Sequence, residues 1–388
     1  MARKGGLGYN PPMTETAHLP VEHVPGRPEV ERLLEAAHKF QASDLHLKAG
    51  SPPILRISGN PITLKTPPLT AEAVRALIWG ILTPEQGRTL ETTGDLDFAY
   101  FLPDGRRFRM NAFRERNCYA LAARRINMTV PTFKDLYLPE KAMSKISHTE
   151  EGIVLLAGVT GSGKSTTIAA ILDYINERGR YHIVTVEDPI EYVFTDKKSF
   201  FNQREVGTDT VDFKAAIRAL MRQDPDIIVA GEMRDAETFE FGLTAAETGH
   251  LVFGTLHASN VTQCFGRILD LFPANRQDQI RMGLHFNLKA IICQKLLPCI
   301  KPGIPRIPVV EVMIINPIIR ELIANNEIAK ISDIVANAEE EGMQDFTGAL
   351  CKLVQTGFLE EKVALEAAPS AESLRMALQG FRVKGGIL

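Results

Sequence analysis

Residues 158–166 read GVTGSGKST, and this stretch decides the fold of the chain. It fits the pattern G-x-x-x-x-G-K-[ST], follows the apolar run IVLLA (153–157) and precedes the helical run IAAILDYINE (168–177). Its glycines let backbone N–H groups surround phosphate oxygens, and the amino end of the helix adds partial positive charge. We therefore predict a P-loop that binds ATP through Gly158, Thr160, Gly161, Ser162, Gly163, Lys164, Ser165 and Thr166.

Two side chains of this loop have specific predicted roles. Lys164 should reach the β- and γ-phosphates, because it is the mobile cation of the motif. Ser165 should ligate Mg²⁺ through its hydroxyl. The sequence thus predicts ATP as the substrate, with Mg²⁺ as its metal.

An acidic stretch, VEDPIE (186–191), ends the next apolar strand along the chain. Ligand-contacting residues of α/β sheets lie at such carboxyl ends. Glu187, Asp188 and Glu191 are predicted to lie beside the triphosphate, where carboxylates can hold Mg²⁺ through water or orient the attacking water. Glu187 and Asp188 are the candidate metal residues, and Glu191 is the candidate catalytic residue. The alternative is a polar passage from strand to loop, stopped by Pro189.

A third strand, within DPDIIVAGEMRD (224–235), ends in Gly231 and Glu232. A carboxylate at the end of a strand near the P-loop strand can position water or support Mg²⁺, so Glu232 is predicted to be catalytic. Arg234 and Asp235 are predicted to form a local ion pair.

Two histidines bracket the run TGHLVFGTLHA (248–258), His250 before its strand and His257 after it. Imidazoles so placed can bond to phosphate or to the Glu232 region, so both are predicted catalytic residues. The alternative is that they are structural. Metal ligation is not expected, because no cysteine or third histidine accompanies them.

The fold class follows from the texture of the chain after Gly152. Short, continuous apolar runs alternate with helical stretches there, the pattern of strands buried on both faces of a mainly parallel sheet. We predict an α/β core over residues 151–316 and a C-terminal helical subdomain over residues 317–388.

The chain before the core is predicted to have three parts. Residues 1–28 are rich in glycine and proline and are predicted to be a flexible tail. Residues 29–126 alternate short strands and helices, which indicates a small α+β domain. In its run RRFRMNAFR (106–114), Phe108, Met110 and Ala112 share one face, and Arg107, Arg109 and Asn111 share the other. Residues 127–150 are predicted to be a linker.

Composition limits the possible partners and location. The net charge of −3 gives no support to a nucleic-acid binder. The five cysteines form no C-x-x-C pair, so neither disulfides nor zinc are expected. No secretory signal opens the chain and no apolar run approaches the roughly 18 residues of a membrane span, so a cytoplasmic protein is predicted.

Together these motifs resemble the secretion-type hexameric ATPases, and among them the type IV pilus retraction ATPases. The resemblance covers about residues 29–380. It rests on ASDLHLKAG (42–50), RFRMNAF (107–113), GVTGSGKSTT (158–167), VEDPIEYV (186–193), NQREV (202–206), GEMRDAET (231–238), TAAETGHLVFGTLHA (244–258) and GMQDF (342–346).

The resemblance implies a ring of six subunits, each with a PAS-like N-terminal domain and a RecA-like ATPase domain, with ATP between them. It implies Glu191 as the general base and Glu232 as the Walker B glutamate. It also implies that Arg109 and Arg124 are brought to the phosphates, although Arg124 and Arg125 are both candidates for that position.

The function implied is ATP-driven pilus retraction at the inner-membrane base of the pilus machine, against a membrane platform protein. The related assembly ATPases usually carry an extra N-terminal domain and a four-cysteine zinc site. Neither is recognised in this sequence, which favours retraction. Pilus assembly or type II secretion stays the first alternative. A nucleic-acid translocase is the second, although no aromatic and basic platform for a single strand is evident.

Overall fold

A computed structural model describes residues 16–17, 29–57, 59–126 and 128–381. They belong to two compact units, Met1–Met128 and Thr129–Leu388. Across the described ranges, we find no helix that combines the length and the apolar character needed to span a membrane. Most of the predicted tail lies outside the described residues, but Thr16–Ala17 forms a short strand that pairs in parallel with Thr63 and Leu64.

The described part of the first unit is a seven-stranded sheet with three helices. The strand order is β1-β4-β3-β2-β7-β6-β5, and every pair except β1–β4 is antiparallel. The strands are β1 (Thr16–Ala17), β2 (Asp44–Lys48), β3 (Ile54–Ile57), β4 (Asn60–Leu64), β5 (Asp95–Phe101), β6 (Arg107–Glu115) and β7 (Cys118–Arg125), and the helices are α1 (Glu29–Lys39), α2 (Ala71–Trp79) and α3 (Pro84–Thr93).

Strand β6 shows how this sheet is packed. Phe108, Met110 and Ala112 are buried in the core of the unit, as the alternation predicts. Of the predicted polar face, Arg109 is partly exposed. Arg107 differs from the prediction: it is only 7% exposed, and its guanidinium lies 5.5 Å from the centre of the Phe101 ring.

The second unit contains the predicted α/β sheet, with seven strands among the described residues. The order is β10-β9-β11-β12-β8-β13-β14; all pairs are parallel except β13–β14. Its strands are β8 (Gly152–Ala157), β9 (His182–Glu187), β10 (Phe200–Glu205), β11 (Ile227–Glu232), β12 (Leu251–Leu256), β13 (Leu288–Pro298) and β14 (Arg306–Ile314). Its helices are α4 (Glu140–Ser147), α5 (Lys164–Arg178), α6 (Phe213–Leu220), α7 (Ala236–Glu247), α8 (Val261–Leu269), α9 (Ala274–Asn287), α10 (Pro317–Ala324), α11 (Ile331–Asn337), α12 (Phe346–Gln355), α13 (Glu361–Ala367) and α14 (Ala371–Leu378), with 3₁₀ turns at Ile328–Lys330 and Glu339–Glu341.

Parallel pairing places several strand ends at one edge of this sheet. Strand β8 is buried along its whole length between β12 and β13, which matches its uninterrupted apolar sequence. Because β8, β9, β11 and β12 run in parallel, the residues that follow each of them lie at the same edge. The P-loop and His257 follow two of these strands, and the acidic stretch and Glu232 lie at the ends of the other two.

The predicted linker over residues 127–150 is wrong for most of its length. Phe133 and Met143 are buried in the core of the second unit, and α4 packs against α5. The Ser144 and Tyr174 hydroxyls are 2.9 Å apart, and the Phe133 and Tyr174 rings stack at 5.1 Å. Pro131 and Pro139 lie on either side of a turn at residues 133–137. The apolar residues of EKAMSKIS recur at helical spacing and pack against α5.

The predicted helical subdomain after residue 316 is helical but not separate. Ile319, Val335 and Phe346 lie in the same core as the central sheet. In addition, Val312 of β14 exchanges two backbone hydrogen bonds with Gln344, of 2.8 and 3.1 Å. The helices therefore extend the α/β layer.

Candidate active site

The P-loop joins β8 to α5, and its path is fixed by close packing. Helix α5 begins at Lys164, with Gly163 as its N-cap at φ 89°. A Cβ at Gly158 would lie 2.4 Å from the Gln294 carbonyl oxygen, and one at Gly163 would lie 2.7 Å from Gln294 Nε2. Both positions therefore require glycine.

The Lys164 side chain folds back over this loop. Its ammonium group donates hydrogen bonds to the carbonyl oxygens of Gly158, at 2.7 Å, and Val159, at 3.2 Å. Partial burial lowers the pKa of Lys164, and the nearby carboxylates of Glu232 and Glu191 counteract part of that effect. The lysine thus lies between the loop and the acidic residues, where phosphate charge would need a cation.

The acidic stretch places its three carboxylates differently. Glu187 accepts hydrogen bonds from Thr185 Oγ1 at 2.6 Å, from Gln203 Nε2 at 3.1 Å and from the Glu191 backbone N–H. Burial raises the pKa of Glu187. Asp188 and Glu191 are exposed and line the cavity above the P-loop. Glu187 therefore stabilises the turn on which Asp188 and Glu191 lie.

Glu232 is held by two partners at the end of β11. Arg234 Nη2 donates to Glu232 Oε2 at 2.5 Å, and His257 Nε2 lies 2.7 Å from Glu232 Oε1. The hydrogen bond from Arg234, with the nearby charges of His257 and Lys164, lowers the pKa of Glu232 despite partial burial. The carboxylate is therefore negative and fixed in direction.

The chain around Glu232 explains this placement and corrects one prediction. The ladder between β11 and β12 shifts by one residue at Gly231, where a Cβ would lie 3.0 Å from the Val186 carbonyl oxygen. Such a bulge re-aims the following side chain. The predicted ion pair between Arg234 and Asp235 is wrong: Asp235 instead caps α7 by accepting a hydrogen bond from Thr238 N at 2.9 Å.

The two predicted histidines lie at opposite ends of β12. His257 follows the strand and lines the cavity. His250 precedes it, and its Nδ1 lies 2.9 Å from the Ala245 carbonyl oxygen and 3.1 Å from Thr248 Oγ1. Six residues of strand separate them by about 20 Å. The structure therefore does not bring His250 to Glu232 of its own chain.

The predicted arginines lie in the first unit. Arg109 and Arg124 are directly opposite each other on β6 and β7, and opposite residues of an antiparallel pair share a face. Arg109 Nη2 lies 3.8 Å from Asp97 Oδ1, and Arg124 Nε donates to Asp44 Oδ1 at 2.8 Å. Arg125 instead pairs with the buried Phe108, so Arg124 is the candidate that shares a face with Arg109.

The residues of the second unit together enclose a cavity of about 910 Å³. Among the described residues, no group of three His, Cys, Asp or Glu side chains can hold a metal by itself. The cavity brings together the predicted residues Thr160, Gly161, Ser162, Gly163, Lys164, Ser165, Thr166, Glu187, Asp188, Glu191, Glu232 and His257.

Sequence reasoning missed one residue beneath the P-loop. Gln294 of β13 donates from Nε2 to the Ser162 carbonyl oxygen at 2.8 Å and accepts from Thr167 Oγ1 at 2.7 Å. It was missed because β13 follows α9 without a glycine or proline between them. Gln203, which donates a hydrogen bond to Glu187, was also missed. It lies in the NQREV motif, which carried no predicted role.

Comparison with known proteins places these features in a family. Residues 105–365 match the family model described as "Type II/IV secretion system protein". The "Type IV pilus retractation ATPase PilT" of Pseudomonas aeruginosa is 41% identical over 345 residues, which are 89% of this chain and 99% of that relative. The "Type IV pilus ATPase PilU" of the same species is 38% identical over 90% of this chain and 91% of its own length.

Solved structures give the same result. The crystal structure of the pilus retraction motor PilT with bound ADP superposes with a TM-score of 0.82 at 44% identity, covering 88% of this chain and 98% of that one. Sequence and fold therefore agree over nearly nine tenths of the chain. This protein therefore belongs to the type II/IV secretion system protein family and is one of its RecA-like P-loop ATPases.

Proposed function

We propose that this protein is a hexameric motor that couples ATP hydrolysis to retraction of a type IV pilus. One observation carries the proposal: a single cavity gathers Lys164, Glu191, Glu232 and His257 in a chain similar to a pilus retraction ATPase along 99% of that relative. The cavity residues indicate ATP hydrolysis. The similarity to a pilus retraction ATPase indicates that hydrolysis drives pilus retraction.

Nucleotide binding would use the P-loop amides and Lys164. The Lys164 ammonium lies against two carbonyl oxygens of the loop, and it would exchange these hydrogen bonds for phosphate oxygens when nucleotide binds. The amino end of α5 adds partial positive charge at the same place. These donors bind the β- and γ-phosphates by charge and geometry.

The residues that would hold Mg²⁺ are Ser165, Asp188 and Glu187. Ser165 lies in the first turn of α5, and Asp188 is exposed to the same cavity. Glu187 already accepts three hydrogen bonds, so it would act through water. When bound, Mg²⁺ would neutralise negative charge on the triphosphate.

Hydrolysis would depend on two carboxylates with different freedom. Glu191 is exposed to the cavity and is the proposed general base. Glu232 is fixed between Arg234 and His257, so it is the proposed group that orients the attacking water. His257, hydrogen-bonded to Glu232, would sense whether the γ-phosphate is present.

The remaining predicted roles concern the assembly. Arg109 and Arg124 are proposed to reach the phosphates when the first unit closes over an ATPase unit of the same or a neighbouring chain. Six chains would form the ring, and domain closure on ATP would be transmitted to a platform protein of the inner membrane. We place the motor on the cytoplasmic side of that membrane, where ATP is available.

Two alternatives use the same chemistry. An assembly or type II secretion ATPase would share the cavity and differ in the direction of force. A nucleic-acid translocase would also share it, but the overall charge of −3 gives no basic balance for a nucleic-acid backbone.

The test combines biochemistry with motility. The purified protein is sized, and its ATPase activity is measured with and without single-stranded DNA, using Lys164→Ala as the inactive control. The gene is then expressed in two mutant strains of a bacterium that makes type IV pili, one lacking its retraction ATPase and one lacking its assembly ATPase.

We expect a six-subunit particle whose ATP hydrolysis is unchanged by single-stranded DNA and requires Lys164. It should restore surface motility only to the strain without a retraction ATPase. Strong stimulation by DNA would instead identify a translocase. Restored pilus formation in the other strain would identify an assembly motor.

A further inference from the structure

Gln294 lies directly beneath the P-loop and hydrogen-bonds to the loop and to the helix that follows it. The side chain is 4% exposed, and Thr167, its partner in the first turns of α5, is 1% exposed. Gln294 Nε2 donates to the Ser162 carbonyl oxygen at 2.8 Å, while Gln294 Oε1 accepts from Thr167 Oγ1 at 2.7 Å. One buried amide therefore connects the loop to the helix that follows it.

The position of Gln294 follows from strand pairing. Cys293 of β13 pairs with Ala157, the last residue of β8, so Gln294 lies beside the start of the loop. Its backbone oxygen and its amide nitrogen occupy the space that side chains at Gly158 and Gly163 would need. The loop is thus packed onto this one residue at both of its ends.

The hydrogen bond to Ser162 has a consequence for phosphate binding. In a trans peptide the carbonyl and the next N–H point in opposite directions. Drawing the Ser162 carbonyl inward toward Gln294 therefore turns the Gly163 N–H away from the strand layer. We propose that Gln294 is a positioning residue that fixes the Ser162–Gly163 peptide in the orientation that binds nucleotide phosphate.

The chemistry of the site requires an amide. Ser162 offers an acceptor and Thr167 a donor, and among side chains of this length only glutamine provides both complements without charge. Glutamate would place a negative oxygen against the Ser162 carbonyl. Methionine would keep the shape and remove both hydrogen bonds.

The inference rests on the proposed nucleotide function, and its test separates positioning from simple packing. In the full-length protein, ADP affinity is measured with a fluorescent ADP analogue for Gln294→Met and Gln294→Glu. The unfolding midpoint without nucleotide is measured in parallel. Gln344→Met is the matched control. Gln344 also donates from Nε2 to a backbone carbonyl, that of Val310 at 2.7 Å, and Val310 pairs with Gln294 across β13 and β14, so this variant disturbs the same strand pair without removing a hydrogen bond to the P-loop.

We expect Gln294→Met to weaken ADP binding by about 10-fold to 100-fold, the range for losing one or two buried hydrogen bonds. Its unfolding midpoint should fall no further than that of Gln344→Met, whose ADP affinity should equal that of wild type. For hydrolysis, KM should rise by a larger factor than kcat falls, because the loss is in phosphate binding.

Wild-type ADP affinity in folded Gln294→Met, or an equal loss in Gln344→Met, would overturn the inference. If wild type itself did not bind ADP, the proposed function would fail instead. If Gln294→Met does not fold, ADP binding is measured for Thr167→Val and Thr167→Ser instead. Weaker binding in the valine variant alone supports positioning, and unchanged binding in both refutes it.

Discussion

Glu232 shows how single residues set the electrostatics of this site. Arg234 and His257 hold its two oxygens from opposite sides and keep its pKa low, so it stays ionised at neutral pH. Glu191 lacks such fixed partners in the described structure and is exposed to the cavity. The two carboxylates therefore suit different tasks, one in orienting water and the other in taking its proton.

We expect Glu232→Gln and Glu191→Gln each to retain bound ATP and to slow hydrolysis by about 10²-fold or more, the scale for a lost base or water-orienting group. The losses should not multiply in the double variant, because both groups are proposed to act on one water. Single-turnover hydrolysis and ATP binding measure this. Glu240→Gln is the control, since Glu240 of α7 pairs with Arg276 of α9 and neither residue lines the cavity. Normal turnover in either single variant would remove that residue from the mechanism.

Among the elements, α4 tests whether residues 127–150 form a linker or part of the core. Met143 is fully buried in α4, whereas Met128 is 43% exposed. We expect Met143→Ala to lower the free energy of unfolding of the second unit by about 2–5 kcal/mol, as for other buried methionines. Met128→Ala should change it little. Denaturant titration followed by circular dichroism measures both, and equal effects would contradict the packing of α4.

The junction of β14 and α8 contains a buried carboxylate that the mechanism does not use. Glu311 is 7% exposed and accepts a hydrogen bond from Val261 N, at the start of α8, at 2.8 Å. Burial raises the pKa of Glu311 from 4.5 to about 7, although the Val261 bond opposes the shift. A pKa that is higher in the folded than in the unfolded state favours folding at low pH. That contribution is lost as pH rises from about 4.5 through 7.

We therefore expect wild type to lose stability relative to Glu311→Gln between pH 5 and pH 8, by on the order of 3 kcal/mol for a shift of this size. Glutamine keeps an acceptor for Val261 without titrating. Denaturant midpoints at several pH values measure the difference. Glu361→Gln, at an exposed position, should follow wild type. Parallel pH profiles for wild type and Glu311→Gln would show that Glu311 does not titrate in this range.

Elements with strong local signals were predictable from the sequence. Strands β8 and β6 lie within one residue of the runs IVLLA (153–157) and RRFRMNAFR (106–114), because a continuous apolar run defines the first and alternation the second. Strand β10, FFNQRE, was missed because an edge strand can be polar. His250 lies away from the predicted site. The sequence shows that it precedes β12, but only the direction of β12 in the sheet shows that this end of the strand is away from the cavity. The partners of Glu232 and Gln294 come from distant strands, so only tertiary structure shows them.

At the scale of the whole molecule, the two units divide the predicted chemistry. The second unit, from Thr129, contains its own core and the complete P-loop cavity. The first unit contributes Arg109 and Arg124 on one face of its sheet. A truncation at residue 151 would remove α4 and expose the core beneath Met143, so the ATPase unit should be tested from residue 129.

We expect residues 129–388 alone to bind ATP and to hydrolyse it poorly, because an arginine from the first unit would be missing from the transition state. In the full chain, Arg109→Ala should lower turnover by on the order of 10³-fold while changing ATP affinity far less, since such an arginine acts mainly on the transferring phosphoryl group. Arg75→Ala is the control, because Arg75 pairs with Glu91 on the helices of the same unit. Turnover and nucleotide affinity are measured together, at protein concentrations where the ring is intact. Full-rate hydrolysis by residues 129–388 would exclude closure of the two units as the catalytic step, and force generation would then have to arise within the ATPase unit itself.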